Sequence, residues 1–194
     1  MENHWSVLID GVKKPVEPID RLEFQDSHLI EAVNRRCHRM LKSKSKRRTH
    51  DFTHALFAQD VLKKKEWDLA IRQVDSLVGL GVFARQVIPR LSFVGEYVGV
   101  VRKKDALLDR DNSYLFRYLK VSFWTQLVID ARLKGNFTRF INHSDEPNLT
   151  SRWVIIDGIY HIILFSNQII YPGQQLTYDY GDSYWDQRAQ PMVL

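Results

Sequence analysis

Two short stretches of the chain concentrate residues of the kind that build binding sites. RFINHSDEPNL, from Arg139 to Leu149, packs arginine, asparagine, histidine, serine, aspartate and glutamate between strand-like runs, with turn chemistry at Pro147-Asn148. Such polar density serves packing poorly, because every buried polar atom needs a partner. Further on, YPGQQLTYDYGDSYW, from Tyr171 to Trp185, gathers five aromatics around a glycine-bounded strand end. That is more ring surface than a solvent-facing turn needs, and it implies an aromatic-lined cleft.

Other candidates are weaker on their own. GLGVFA, from Gly79 to Ala84, contains GxG but no third glycine, and it runs into strand-like sequence rather than a helix N-terminus. This disfavours a dinucleotide fold and reads first as a turn. Tyr97 in GEYVG and Tyr114 in DNSYLF are, taken singly, ordinary strand aromatics. His50 and His54 are four apart on a predicted helix, but HExxH is absent and no further ligand cluster lies nearby, so they read as a polar helix face. Residues 35–48 hold Arg35, Arg36, Arg39, Lys42, Lys44 and Lys46 among other cations and no carboxylate. They permit a weak contact with nucleic acid, but no aromatics interleave the charges, so a solvated helix end is the plainer reading.

The elements that must position these residues change character along the chain. Residues 1–25, with Pro15 and Pro18, read as an irregular arm or a short strand pair. From Ser27, a candidate N-cap, apolar residues at Leu29, Ile30, Val33, Cys37, Met40 and Leu41 recur at helical spacing. After the polar stretch SKSKRRTH, a second helix is predicted from Asp51 to Lys65, with Phe52, Leu56, Phe57, Val61 and Leu62 on one side. Beyond Glu66 short runs rich in Val, Ile and Phe predict strands, and Asp157-Gly158 between two apolar runs predicts a hairpin. The expected fold is mainly β with an N-terminal helical segment. The expected organisation is an arm and basic helical segment over 1–66, a β domain over 67–185 and a tail over 186–194.

Composition bounds the rest. The 194 residues carry a net charge of +5 and 44% apolar residues, enough for one core and suited to acidic partners. Cys37 stands alone, which rules out an internal disulfide or a cysteine-built zinc site. No apolar run approaches the roughly 18 residues of a membrane span, and the N-terminus lacks a signal pattern. The expectation is a soluble chain with no membrane partner and no cleaved signal.

In order and spacing, GLG, GEYVG, SYLF, DARLKGNFTRFINHSDEPN and LTYDYG resemble the SET-domain lysine methyltransferases. The resemblance spans about Trp67 to Trp185. It is narrower toward small stand-alone bacterial SET proteins of chlamydia-like organisms, which also place a basic helical segment before the domain. It implies several small sheets around a knot-like crossing near NHS. It also implies S-adenosylmethionine as cofactor, and a histone or histone-like basic protein as substrate. The chain would then be a bacterial effector, acting in the bacterial cytoplasm or secreted into a host cell and its nucleus. An exposed apolar stripe on the helical segment permits a homodimer.

Carried over motif by motif, Gly79, Leu80 and Gly81 would offer backbone to the cofactor, with Tyr114 beside them. Asn142 and His143 would hold its adenine-bearing end, while Arg139 and Phe140 shape the same pocket. Tyr97 would meet the cofactor at the lysine channel, and Tyr180 would be the catalytic tyrosine, touching both. Tyr178 matches the position where phenylalanine allows trimethylation and tyrosine restricts it, which implies mono- or dimethylation. The sequence has no cysteine after Tyr180, where many relatives carry a zinc-binding segment. Trp185 and the tail to Leu194 are expected to close the channel by packing. No metal is expected. The alternative is a catalytically silent SET-like module that binds chromatin or nucleic acid.

Overall fold

The computed structural model describes residues 6–9, 12–76, 78–181 and 184. The arm forms a hairpin of β1 (Ser6–Ile9) and β2 (Val12–Pro15), followed by two-residue strands β3 (Glu17–Pro18) and β4 (Glu23–Phe24). Two helices follow, α1 (Ser27–Leu41) and α2 (Lys44–Leu62). Then come β5 (Leu69–Asp75), β6 (Gly79–Ala84), β7 (Phe93–Glu96), β8 (Val100–Lys103), β9 (Leu115–Lys120) and β10 (Gln126–Asp130). The last part holds β11 (Lys134–Gly135), a 3-10 turn (Phe137–Phe140), β12 (Asn142–His143), β13 (Leu149–Ile156), β14 (Ile159–Ser166) and β15 (Thr177–Tyr178).

The architecture is mainly β, as expected, and built of small sheets. The larger ones run in the orders β4-β8-β10-β9 and β13-β14-β7. The arm is woven in, since β3 pairs with β11 and β4 with β8, both in parallel. The β13/β14 hairpin turns at Asp157 and Gly158, both with positive φ (50° and 78°), which is the requirement of a two-residue primed turn.

The helices differ from expectation in three places. The cap of α1 is Asp26 rather than Ser27, because the Asp26 carboxylate accepts from the Leu29 amide at 3.1 Å. Secondly, α2 starts seven residues before the predicted Asp51, at Lys44. The polar run contains no glycine or proline, and lysine and arginine are good helix formers, so polarity alone does not break it. Thirdly, α2 buries His50, Thr53, Phe57, Ala58 and Val61, while Phe52 and Leu56 are 64% and 44% exposed and Leu62 is also exposed. The buried stripe tolerates polar residues because they are satisfied: His50 Nε2 donates to the Ile155 carbonyl at 3.0 Å, and Thr53 Oγ1 donates to the Thr49 carbonyl at 3.0 Å. That bond also accounts for His50 without a metal.

Three apolar clusters result. Leu29, Val33, Cys37 and Met40 of α1 pack on Val101, Leu127 and Ile129, and Phe57 and Val61 of α2 pack on Val154, Ile163 and Phe165. The third joins Val82, Ala84, Ile141, Leu149, Leu164 and Leu176. Phe116 touches both the first and the third, and the candidate site forms at that junction. No helix among the described residues is long and apolar enough to cross a membrane.

Candidate active site

The two motifs that open the sequence meet in space. β12, the asparagine and histidine of RFINHS, pairs in parallel with β15, the threonine and tyrosine of LTYDYG, in the register Asn142 to Thr177 and His143 to Tyr178. Asn148 fastens the crossing: its amide donates to the Gln175 carbonyl at 2.8 Å and its oxygen accepts from the Thr177 amide at 3.0 Å. On the other side the Leu176 amide donates to the Val82 carbonyl at 2.8 Å. The segment around Leu176 is therefore held between β6 and the motif, which is the crossing the resemblance implied.

Tyr180 follows directly. Its hydroxyl donates to the Ile141 carbonyl at 2.8 Å, and its amide donates to His143 Nδ1 at 3.2 Å. His143 then presents Nε2 to the Asp145 carboxylate at 3.1 Å. Both ends of the tyrosine are thus fixed by the other motif, leaving its ring little freedom.

Rings accumulate around it. Tyr178 lies 4.7 Å from Tyr180 and 6.1 Å from Phe116, and Phe116 lies 4.9 Å from Tyr97, between ring centroids. These rings line a cavity of about 160 Å³, whose walls also include Lys104, Asp109, Arg117 and Arg139. Tyr184 meets Tyr180 edge to face at 4.6 Å. Burial holds the Tyr97, Tyr178 and Tyr180 hydroxyls well above the ordinary phenol range, so all three stay neutral at physiological pH.

An ion-pair network positions Tyr97 and Tyr114. Arg102 on β8 donates from Nε and Nη2 to the Asp130 carboxylate at 3.0 and 2.7 Å, and also pairs with Asp109. Asp130 in turn accepts from Asn112 at 2.9 Å, and Asn112 accepts from the Tyr114 amide at 3.1 Å. The Tyr114 carbonyl then accepts from the Tyr97 hydroxyl at 3.1 Å. Asp109, a carboxylate on the cavity wall, is already held by Arg102, which weakens its field on an entering cation.

Arg139 is the unusual charge. It is 5% exposed, stacks on Tyr114 at 3.8 Å and Phe140 at 4.9 Å, and donates from Nη2 to the Arg132 carbonyl at 3.1 Å. Its Nε and Nη1 are buried without an acceptor among the described residues. Burial pulls its pKa below the ordinary arginine value against the opposing pull of Tyr114, Tyr97 and Asp130. An unpaired buried guanidinium is costly, and it suits a site that receives an anion.

The glycine motif lies on the far side of Asn142, whose amide donates to the Leu80 carbonyl at 3.0 Å. Gly79 has φ of +80°, and a Cβ on Gly81 would stand 2.6 Å from Val74 Cγ2 and 2.7 Å from Gln175 Nε2. The structure thus links Gly79, Leu80, Gly81, Asn142, His143 and Tyr180 into one connected set, and of the predicted residues Tyr97, Tyr178, Tyr180 and Arg139 line the cavity, while Tyr114 and Phe140 stack on Arg139 without lining it. Tyr114 contacts Arg139 and Tyr97. Trp185 and the tail to Leu194, expected to close the channel, lie outside the described residues.

Two contributors escaped the sequence reading. Phe116 bridges Tyr97 and Tyr178, and the period of two on β9, which places it on the same face as Tyr114, was the available signal. Arg102 had none, because its carboxylates come from two separate segments.

The buried acids give a testable consequence. In the folded chain Cys37 is pushed up to about 12, and Tyr97, Tyr178 and Tyr180 are also raised by burial. The unfolded chain releases these protons above about pH 9 to 10 while the folded chain keeps them. Unfolded protein therefore binds fewer protons in that window, so stability falls as pH rises through it and is unaffected by these groups below it. Thermal melts followed by circular dichroism should show Tm flat with respect to these groups up to about pH 9 and falling beyond. A Tm that climbs from pH 9 to 11 would contradict the buried, neutral state of these side chains.

Small sheets crossed by a parallel pairing of an asparagine-histidine motif with a tyrosine motif, beside a ring-walled cavity, define a SET-type fold. A family model described as the SET domain matches residues 79–181, and the chain belongs to that family. Histone-lysine N-methyltransferase EHMT1 of Mus musculus is 39% identical over 118 residues, covering 58% of this chain and 9% of that protein. An H3 lysine-4 specific histone-lysine N-methyltransferase of Schizosaccharomyces pombe is 28% identical over 168 residues, 84% of this chain and 18% of that protein. The chain therefore spans a small part of the length of these relatives. Among solved structures, KRYPTONITE in complex with mCHH DNA, an H3(1-15) peptide and SAH matches with a TM-score of 0.53 and 36% identity, over 65% of this chain and 25% of that one.

Proposed function

We propose that this chain is a protein-lysine N-methyltransferase that uses S-adenosylmethionine and acts on histone or histone-like basic proteins. The observation that carries the reading is Tyr180, pinned by its hydroxyl and its amide to the asparagine-histidine motif and walled by Tyr178, Phe116 and Tyr97. The names of the relatives and the ligands of the structural neighbour point the same way.

The cofactor fits the donor set. Bound S-adenosylmethionine supplies an activated methyl on a sulfonium and carries a carboxylate. Arg139, with two buried unpaired donors, suits the carboxylate, and the ring faces around it tolerate a sulfonium by cation–π attraction. We assign Gly79, Leu80, Gly81, Tyr114, Arg139, Phe140, Asn142, His143 and Tyr180 to the cofactor, and Tyr97, Tyr178 and Tyr180 to the lysine channel.

The channel acts on its substrate through desolvation and alignment. A lysine ammonium entering between neutral phenols loses water and gains no free carboxylate, so its pKa drops toward the reactive amine. Tyr97 and Tyr180 are hydrogen-bonded and buried, so they can orient that amine within attack distance at little further entropic cost. Lys104 and Arg117 on the cavity wall raise the cost of a cation immediately beside the target lysine.

The region 67–185 is proposed as the SET unit, with 1–66 as a basic helical segment and 186–194 as a tail. That basic helical segment favours the narrower likeness to chlamydia-like bacterial SET proteins. Tyr178, buried against Tyr180, favours mono- or dimethylation. Mass spectrometry of a methylated histone peptide under limited turnover is expected to show one or two added methyl groups, with Tyr178→Phe adding a further one. Predominant trimethylation by the unaltered protein would refute that part. Calorimetric titration with S-adenosylmethionine tests the cofactor assignment, and a null titration would favour the catalytically silent module.

A further inference from the structure

We infer that the β9–β10 turn and the basic end of α1 together form a docking surface for single-stranded nucleic acid, separate from the ring-walled cavity. The sequence kept cations and aromatics apart, but the fold joins them: Arg39 Nη2 donates to the Val121 carbonyl, 82 residues on, at 3.3 Å. Directly beyond, Phe123 and Trp124 are 74% and 89% exposed. Their rings meet edge to face at 4.6 Å, and the Lys120 ammonium sits 5.1 Å from the Phe123 centroid.

The turn that presents these rings is ordered. The Val121 amide donates to the Thr125 carbonyl at 3.0 Å, and the Thr125 amide donates to Ser122 Oγ at 3.1 Å. A solvent-facing Phe-Trp pair costs hydration, and nothing among the described residues covers it. Its surroundings are cationic. Lys120 precedes it, Lys103 lies opposite Leu127 on the neighbouring strand, and exposed Arg39 reaches the Val121 carbonyl from the end of α1, after which Lys42, Lys44 and Lys46 are also exposed. Nearby Asp105 is engaged by the amides of Leu107 and Leu108 at 2.9 and 3.0 Å.

Cations flanking exposed ring faces match a strand that offers phosphates and unstacked bases together. Duplex hides its base faces and would use only the charges. A lipid surface would use a broader apolar cap than two rings set at 81° to each other, flanked by Ser122, Thr125 and Gln126. The occupant this surface fits is therefore a single strand of DNA or RNA.

The test uses the full chain and fluorescence anisotropy with labelled oligothymidylate, oligouridylate, a mixed-sequence duplex, and vesicles containing phosphatidylserine. Single strands are expected to bind more tightly than duplex, with affinity falling as salt rises. The double variant Phe123→Ser, Trp124→Ser should lose about tenfold or more in single-strand affinity with Tm unchanged, because the rings are exposed. Arg39→Gln with Lys42→Gln should weaken binding and flatten the salt slope. The two single-strand probes separate DNA from RNA, and either one supports the inference. Equal affinity for duplex, undiminished binding in the double ring variant, or binding to vesicles without binding to either single strand would each overturn it.

Discussion

Arg139→Met is expected to leave the protein folded with an equal or higher Tm while weakening S-adenosylmethionine by about tenfold to a hundredfold. The two effects have one cause. In the folded chain the guanidinium is buried, pairs directly with no carboxylate, and leaves Nε and Nη1 without acceptors among the described residues, so the pull of Asp130 at a distance offsets only part of its desolvation cost. Methionine fills similar volume and removes that cost, against the loss of the stacking on Tyr114 and Phe140. Replacing buried ionic groups by apolar ones of like size is often neutral or stabilising by about 1–4 kcal/mol. For a chain of this size about 1 kcal/mol corresponds to roughly 2–4 °C in Tm. Calorimetry and a thermal melt on the same sample read both quantities. A fall in Tm of many degrees with cofactor affinity intact would make Arg139 a structural residue and remove it from the site.

Tyr180→Phe should reduce methyl transfer by about a hundredfold or more, while changing cofactor affinity little and Tm by only a few degrees. The hydroxyl donates to the Ile141 carbonyl, and that bond sets where the ring stands between Tyr178 and Tyr184. Phenylalanine keeps the ring packing and the amide bond to His143 but loses both the tether and the hydroxyl that we propose acts on the reacting amine. A single neutral hydrogen bond contributes about 1 kcal/mol to stability, whereas a preorganised group acting in the transition state is worth several. The variant therefore separates the two roles. A fall in kcat with steady cofactor affinity marks a group that acts on the reacting atoms. Loss of cofactor affinity and Tm together would mark a scaffold residue.

What the sequence revealed of this fold followed how local each signal was. The Asp157-Gly158 hairpin was legible because its turn chemistry is contained in two residues. The first helix was found in place, apart from its cap, and the second was found but misplaced. His50 and Thr53 occupy the buried stripe of α2 through hydrogen bonds that a pattern of apolar letters does not record, and the exposed Phe52 and Leu56 took their place in that pattern. The pairing of Asn142 and His143 with Thr177 and Tyr178 joins two-residue strands far apart in the chain, which leaves no periodic trace. Only the resemblance connected them. The same holds for Arg102, Asp109 and Asp130, whose network is assembled from three segments. For the surface at Phe123 and Trp124, sequence distance had argued against what the fold assembled.

Tyr180 and Arg139 meet in one experiment. The protein is incubated with histones and S-adenosylmethionine carrying a labelled methyl group, and the products are hydrolysed and separated as amino acids. The account predicts label recovered as methyllysine, abolished or nearly so by Tyr180→Phe and sharply lowered by Arg139→Met at limiting cofactor. Label transfer undiminished in Tyr180→Phe, or no methyllysine from a protein that binds the cofactor, would contradict it.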